Sequence, residues 1–105
     1  MVTIEDMEEV YVGLARIYDD AMGTSRATDL FLFYQEPDLG FSAPFQWLVT
    51  EEIRVDDSAL YERAVSVAKQ LIADTEAEGD DYIPWLVGEG LGPFIEMHES
   101  ASKHV

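Results

Sequence analysis

Residues 45–55, with the sequence FQWLVTEEIRV, decide the fold class of this chain. Their odd-numbered positions are mostly apolar and alternate with polar residues, which is the side-chain period of a half-buried β-strand. Leu48 and Glu51 break the alternation, so the pattern predicts either one long strand or two short strands separated by a bulge. A helix capped by Ser42 is the competing interpretation. We therefore expect strand structure at 44–55 and keep a helix as the alternative.

The apolar run that precedes this stretch, LFLFY at residues 30–34, has no periodicity that separates a strand from a helix. Its aromatic composition and the nearby Pro37 and Gly40 favour a buried strand within 29–35. Two such strands would pair as a small antiparallel sheet or hairpin. If both segments are helical instead, the chain forms an all-α bundle.

Toward the N-terminus, the sequence predicts an amphipathic helix from Thr3 to Met22, with Thr3 as its cap and Gly23 as a left-handed stop. Apolar residues recur at spacings of three and four and form one face: Ile4, Met7, Val10, Tyr11, Leu14, Ile17, Tyr18 and Ala21. The opposite stripe, here called the N-terminal ridge, holds five carboxylates beside Arg16: Glu5, Glu8, Glu9, Asp19 and Asp20. We expect this ridge to face solvent.

Toward the C-terminus, Asp57 or Ser58 is expected to cap a helix that runs to about Ala77. The glycines of the segment 88–92 should interrupt any helix, and a short final helix should follow over 94–100, with 101–105 as a frayed tail. The predicted fold class is therefore α+β: an N-terminal helix, a small antiparallel sheet and two helices, in a single compact domain spanning 1–105.

The charge of the chain excludes several classes of partner. It has 22 Asp and Glu against 6 Lys and Arg, a net charge of −16. Such a surface repels phosphate backbones and anionic lipid, so neither direct nucleic-acid binding nor membrane binding is expected. The chain contains no cysteine, which removes thiolate metal sites and cysteine nucleophiles. An acidic N-terminal stretch without a signal-peptide pattern leads us to expect a cytoplasmic protein.

No motif predicts a metal, a cofactor or catalysis. Asp74, Glu76, Glu78 and Gly79 match the first half of a calcium-loop pattern, but Trp85 stands where the loop needs a bidentate glutamate. The histidine at 98 lies beside two glutamates, which is as typical of a charge-compensated helix end as of a metal site. We expect no enzyme activity, no cofactor and no metal.

Uneven placement of the carboxylates points to a directional binding surface. The outer face of the helix after Asp57 is nearly balanced in charge, whereas the N-terminal ridge is not. Trp85 is the expected exposed aromatic anchor. The predicted partner-binding residues are Glu5, Glu8, Glu9, Asp19, Asp20, Glu51, Glu52, Asp56, Asp57, Asp74, Glu76, Glu78, Asp80, Asp81 and Trp85.

The expected function is that of an acidic binding protein that blocks a basic nuclease or another nucleic-acid-binding effector by imitating nucleic acid. In size and charge the chain resembles small acidic inhibitors, namely nuclease immunity proteins and the phage anti-restriction and anti-CRISPR proteins, and the resemblance covers no motif. Two alternatives remain open: a small structural or assembly adaptor, and a salt-adapted domain whose acidity serves solubility alone. A homodimer is compatible with each of these functions.

Overall fold

The regular structure of the chain is helical throughout the residues described by a computed structural model, 2–33 and 42–103. The helices are α1 (Ile4–Met22), α2 (Arg26–Phe33), α3 (Ser42–Thr50), α4 (Ser58–Ala77) and α5 (Tyr82–Lys103). The described ranges contain no β-strand. The predicted α+β fold is therefore wrong, and the all-α alternative is the fold that the chain adopts.

The strand predicted at 44–55 is replaced by α3 and an irregular segment at 53–57. Phe45 and Leu48 are fully buried, while Trp47 and Val49 are half-buried, so α3 is apolar around most of its circumference. This follows from its contacts with two helices, because Phe45 packs on Phe94 of α5 whereas Trp47 packs on Tyr18 of α1. A helix that is covered on several sides has no single apolar stripe. Its sequence therefore lacks the 3.6-residue apolar period by which a helix is predicted.

The second predicted strand, at 29–35, is also wrong where it can be checked, because residues 29–33 belong to α2. Residues 34–41 lie outside the described residues. The start of α2 is stabilised by a carboxylate from outside the local sequence, because the amides of Ala27 and Thr28 donate to Asp19 on α1.

The helix ends predicted from capping residues are confirmed. Thr3 accepts a hydrogen bond from the Asp6 amide, and the Asp6 carboxylate accepts one from the Thr3 amide, which forms a capping box. The hydrogen bonds from the Thr3 backbone and side chain are the main cause of the lowered pKa of Asp6. Gly23 ends α1 at φ 68°, a conformation that glycine adopts without strain. Asp57 caps α4 by accepting from the Leu60 amide.

The buried face of α1 matches the predicted apolar stripe from Met7 to Tyr18, whereas Ile4 and Ala21 at the two ends are exposed. The helix runs antiparallel to α4, because the Val2 amide donates to Asp74 Oδ2 and Arg63 pairs with Asp6 and Glu9. The bond from the Val2 amide is the first cause of the lowered pKa of Asp74.

The glycine segment does not interrupt α5, contrary to the prediction, and the predicted short helix over 94–100 is the continuation of α5. A Cβ on Gly90 would stand 3.2 Å from both Phe45 Cβ and the Ser42 carbonyl oxygen. Glycine at this position thus allows α3 and α5 to pack closely, with Phe45 and Phe94 in edge-to-face contact at 5.1 Å. The predicted tail at 101–105 is helical as far as Lys103, and residues 104–105 lie outside the described residues.

Candidate functional site

The N-terminal end of α5 presents two large aromatic side chains to solvent. Tyr82 and Trp85 are 57% and 58% exposed, with ring centroids 6.1 Å apart. Asp80 fixes the start of the helix, because its Oδ1 accepts from the amides of Tyr82 at 2.8 Å and Ile83 at 3.1 Å. Ile83 is buried in the core. The exposure expected of Trp85 is confirmed, and its role in binding stays a prediction.

Trp85 lines a groove between α3 and α5. The groove has a volume of about 350 Å³ and is lined from α3 by Gln46, Val49 and Thr50 and from α5 by Trp85, Leu86, Glu89, Gly90 and Pro93. Most of these residues are apolar, and none of the described lining residues is basic. We call this feature the α3/α5 groove.

One carboxylate lines the α3/α5 groove, and two more follow a lining residue in the chain. Glu89 lines it directly, and Glu51 and Glu52 follow the lining residue Thr50 at the C-terminal end of α3. That end is closed by a Schellman motif, in which the Ile53 amide donates to the Leu48 carbonyl and the Glu52 amide donates to the Val49 carbonyl. Glu52 occupies its left-handed position at φ 55°, where glycine is the usual residue. The helix C-terminus adds partial negative charge to these two side chains.

The N-terminal ridge is only partly as predicted. Glu5, Glu8 and Glu9 border a shallow depression with Arg16, and Asp20 is exposed. Glu9 is paired with Arg63 at 2.9 Å, so its charge is partly neutralised.

Asp19 does not belong to the exposed ridge, and its predicted position there is wrong. The residue is 7% exposed, and its carboxylate accepts hydrogen bonds from the Thr24 hydroxyl, the Ala27 amide, and the amide and hydroxyl of Thr28. Burial alone raises the pKa of Asp19, but the bonds from Thr28, Ala27 and Thr24 outweigh it and hold the pKa below its usual range. Asp19 therefore caps α2 from a position on α1.

Several other predicted partner-binding carboxylates also stabilise the fold. Asp57 and Asp80 are helix caps, and Asp74 accepts hydrogen bonds from the Val2 amide and from Gln70. Such bonds stabilise helix ends and reduce the freedom of these carboxylates to meet a partner. The predicted carboxylates that are exposed, and that neither cap a helix nor pair with Arg63, are Glu5, Glu8, Asp20, Glu51, Glu52, Asp56, Glu76, Glu78 and Asp81.

The stretch 74–81 is the end of a helix and a turn, and it does not have the shape of a calcium loop. Helix α4 continues through Ala77, and Gly79 makes the turn at φ 84°. Within the described residues, no group of three or more acidic or histidine side chains is placed to hold a metal ion. Nor does any helix in the described ranges combine the length and apolar composition that crossing a membrane requires.

His98 is a structural residue in the core, and not the charge-compensated helix end that the sequence suggested. It is 7% exposed, its Nε2 accepts from the Val55 amide at 3.0 Å, and its Nδ1 lies 2.9 Å from the Phe94 carbonyl. The ring stacks on Tyr61, with centroids 4.6 Å apart. Both nitrogens are thus satisfied by a neutral ring that carries its proton on Nδ1.

Sequence reasoning missed Tyr82 and Glu89. Both lie at helical spacing from Trp85, one turn before and one turn after it, but the expected interruption at 88–92 concealed that spacing. The signal that could have revealed them is the Asp80 cap, which marks the start of a helix at Tyr82.

The comparisons with known proteins assign no family to the chain. No protein-family model matches it, and neither a curated protein nor a solved structure matches it significantly. The function must therefore be argued from the residues and their geometry.

Proposed function

We propose that this chain is a non-catalytic acidic protein that binds the positively charged, nucleic-acid-binding face of another protein and excludes nucleic acid from that face. The observation that carries the proposal is the uncompensated charge of the surface. In the described parts of the chain, the recorded ion pairs all use one cation, Arg63. Most of the exposed carboxylates are therefore available to an external partner.

The placement of these carboxylates supports binding through a defined surface. Glu5, Glu8 and Asp20 lie on the N-terminal ridge, whereas the outer face of α4 carries Arg63 and Lys69 among its acidic residues. A field of this kind attracts a basic partner over distances up to the Debye length, about 8 Å at physiological ionic strength. Steering raises the association rate, and affinity then depends on a few desolvated contacts.

The proposed mechanism is steric occupation. A duplex carries one negative charge per about 1.7 Å of axis, and carboxylates one helical turn apart are spaced more widely, at about 5.4 Å. The chain would therefore imitate the field of nucleic acid only in part and would need apolar anchors as well. In this proposal the encounter takes place in the cytoplasm.

The test is displacement of DNA. Basic proteins of the native host are enriched on immobilised duplex DNA, eluted with salt and passed over the immobilised chain at low salt. Each retained protein is then bound to a fluorescent duplex, and the chain is added while anisotropy is followed. We expect the duplex to be released, with an apparent affinity that falls steeply as salt rises. A retained protein that holds duplex and chain at the same time would contradict the proposal.

Charge reversal locates the surface. The triple variant Glu5→Lys, Glu8→Lys, Asp20→Lys avoids every capping carboxylate, and we expect it to displace DNA at least about tenfold less well. The matched control makes the same change in net charge elsewhere, at the exposed residues Glu62, Glu96 and Glu99. Equal loss in both variants would mean that total charge alone is acting, and a directional surface would then be excluded.

A further inference from the structure

We propose that the α3/α5 groove is the docking site for an arginine-bearing segment of the basic partner, with Trp85 and Tyr82 as its aromatic anchors. This inference rests on the proposed function and adds a second contact site, made of other residues than the N-terminal ridge, and the side chain that this site recognises. It has three supports: the exposed aromatic pair, the groove beside it and the charge around both.

The exposed aromatic pair is the first support. Tyr82 and Trp85 leave more than half of their surface in water, although the apolar side chains next to them in α5, Ile83 and Val87, are buried. Their separation of three residues on one helix places both rings on the same side. Large aromatic side chains in a cluster of this kind are typical binding anchors, and indole is the aromatic group that cations prefer.

Charge complementarity is the second support. Glu89 follows Trp85 by four residues in α5, and Asp81 is the exposed residue immediately before the helix, where its carbonyl accepts from the Trp85 amide. Four residues correspond to about 6 Å along the axis. A cation on the indole face would therefore have the Glu89 carboxylate one turn further along the helix and the Asp81 carboxylate at the start of the helix. Glu51 and Glu52 follow the lining residue Thr50 directly in the chain and add negative charge at that end of α3.

The shape of the groove is the third support. Its volume of about 350 Å³ lies in the usual range for pockets that hold a small ligand or a large side chain, about 300–1,000 Å³. Val49, Leu86 and Pro93 give it an apolar lining, which suits an aliphatic residue next to the cation in the bound segment. The occupant is therefore a basic segment that contains at least one apolar side chain.

Arginine fits this site better than lysine does. The guanidinium group is planar, stacks on an aromatic face, and can donate two parallel hydrogen bonds to a carboxylate. The lysine ammonium is more strongly hydrated. It has no plane to stack on the ring and no pair of parallel donors for a carboxylate. A phosphate-bearing ligand is disfavoured because Glu89 lines the groove and no described lining residue is basic.

The experiment uses the full chain, labelled with ¹⁵N, and a nine-residue peptide in which one leucine is flanked by arginines. A lysine version and a citrulline version of the peptide serve as controls. The reporters are the two indole N–H resonances, assigned with Trp85→Phe. Trp47 is the internal reference, because it packs on Tyr18 with ring centroids 5.3 Å apart. Trp85 is exposed, so its replacement should leave the far-UV circular dichroism spectrum unchanged.

We expect the arginine peptide to shift the Trp85 resonance and to leave the Trp47 resonance in place. Trp85→Ala should weaken binding about tenfold, and Glu89→Gln about threefold. Glu96→Gln, also exposed on α5, should leave the affinity unchanged. The lysine peptide should bind about threefold more weakly than the arginine peptide, and the citrulline peptide should bind far more weakly than either.

Equal affinity of the wild type and Trp85→Ala for the arginine peptide would overturn the inference, as would the absence of binding at millimolar peptide. Either result leaves the proposed function intact if the chain still displaces DNA from a basic protein. The opposite result is also possible: the chain binds the arginine peptide as expected but displaces no DNA. That result would overturn the proposed function and leave the arginine site standing.

Discussion

Replacement of Asp19 tests the structural role that the fold assigns to this carboxylate. In Asp19→Ala, the amides of Ala27 and Thr28 lose their acceptor at the start of α2, and the hydroxyls of Thr24 and Thr28 lose theirs. The hydroxyls can turn to water, so the two amides dominate the cost. Loss of a helix cap costs about 0.5–2 kcal/mol, and a buried donor left without a partner costs about 1–3 kcal/mol.

We therefore expect Asp19→Ala to lower the free energy of unfolding by about 3 kcal/mol, and Asp19→Asn by about half as much, because the amide keeps one oxygen acceptor. For a chain of this length, about 3 kcal/mol corresponds to a fall in Tm of roughly 12 °C or more. Urea unfolding followed by circular dichroism measures the effect. Asp20→Ala is the matched control, since Asp20 is the adjacent carboxylate and is exposed.

The effect should also depend on pH. Folding lowers the pKa of Asp19 below its ordinary value of 3.8. The ionised carboxylate therefore stabilises the fold at any pH above the pKa that Asp19 has in the unfolded chain. This contribution is lost as pH falls through the folded pKa. The difference in stability between wild type and Asp19→Asn should be constant above about pH 5 and should shrink below it. Equal urea midpoints for Asp19→Ala and Asp20→Ala, or a difference that grows on acidification, would refute the reasoning.

Three further predictions concern helix packing and helix ends. Gly88→Ala, where a new Cβ meets nothing within 4 Å, should raise Tm through a gain of up to about 1 kcal/mol in helix propensity, whereas Gly90→Ala should lower it by crowding α3; equal shifts would contradict the packing argument. Glu52→Gly should stabilise the fold by about 0.5–1 kcal/mol in urea titrations by relieving the left-handed conformation, and a loss of stability would show that the side chain matters more than the backbone. His98→Ala should cost about 3 kcal/mol and accelerate hydrogen exchange at the Val55 amide, because that buried donor loses its acceptor; unchanged exchange there would exclude the role assigned to His98.

The parts of the fold that could be predicted are those with local causes. The ends of α1 and the start of α4 were predictable because Thr3, Gly23 and Asp57 act within one turn of their own positions. The buried stripe of α1 was predictable because α1 keeps one solvent-facing side and therefore a clear period of 3.6.

The wrong predictions have tertiary causes. The strand at 44–55 was wrong because two neighbouring helices cover α3, and the break at 88–92 was wrong because Gly90 serves helix contact instead of a turn. Asp19 was misplaced because its hydrogen-bond partners belong to the next helix. In the candidate site, the exposure of Trp85 was predictable from its polar and glycine-rich surroundings. The placement of Tyr82 and Glu89 one turn from Trp85 could not be predicted, because it depends on a continuous α5 where the glycines predicted a break.

The antiparallel contact between α1 and α4 has a consequence for synthesis on the ribosome. The Val2 amide and Asp74 are 72 residues apart in the chain. Because translation proceeds at about 5–20 residues per second, the apolar face of α1 stays uncovered for roughly 4–14 s before the contacting end of α4 has been synthesised. The exposed carboxylates of the N-terminal ridge keep nascent copies apart by mutual repulsion during this interval. Charge reversal on the ridge should consequently reduce the yield of correctly folded chain in cell-free translation, even where the finished protein is equally stable.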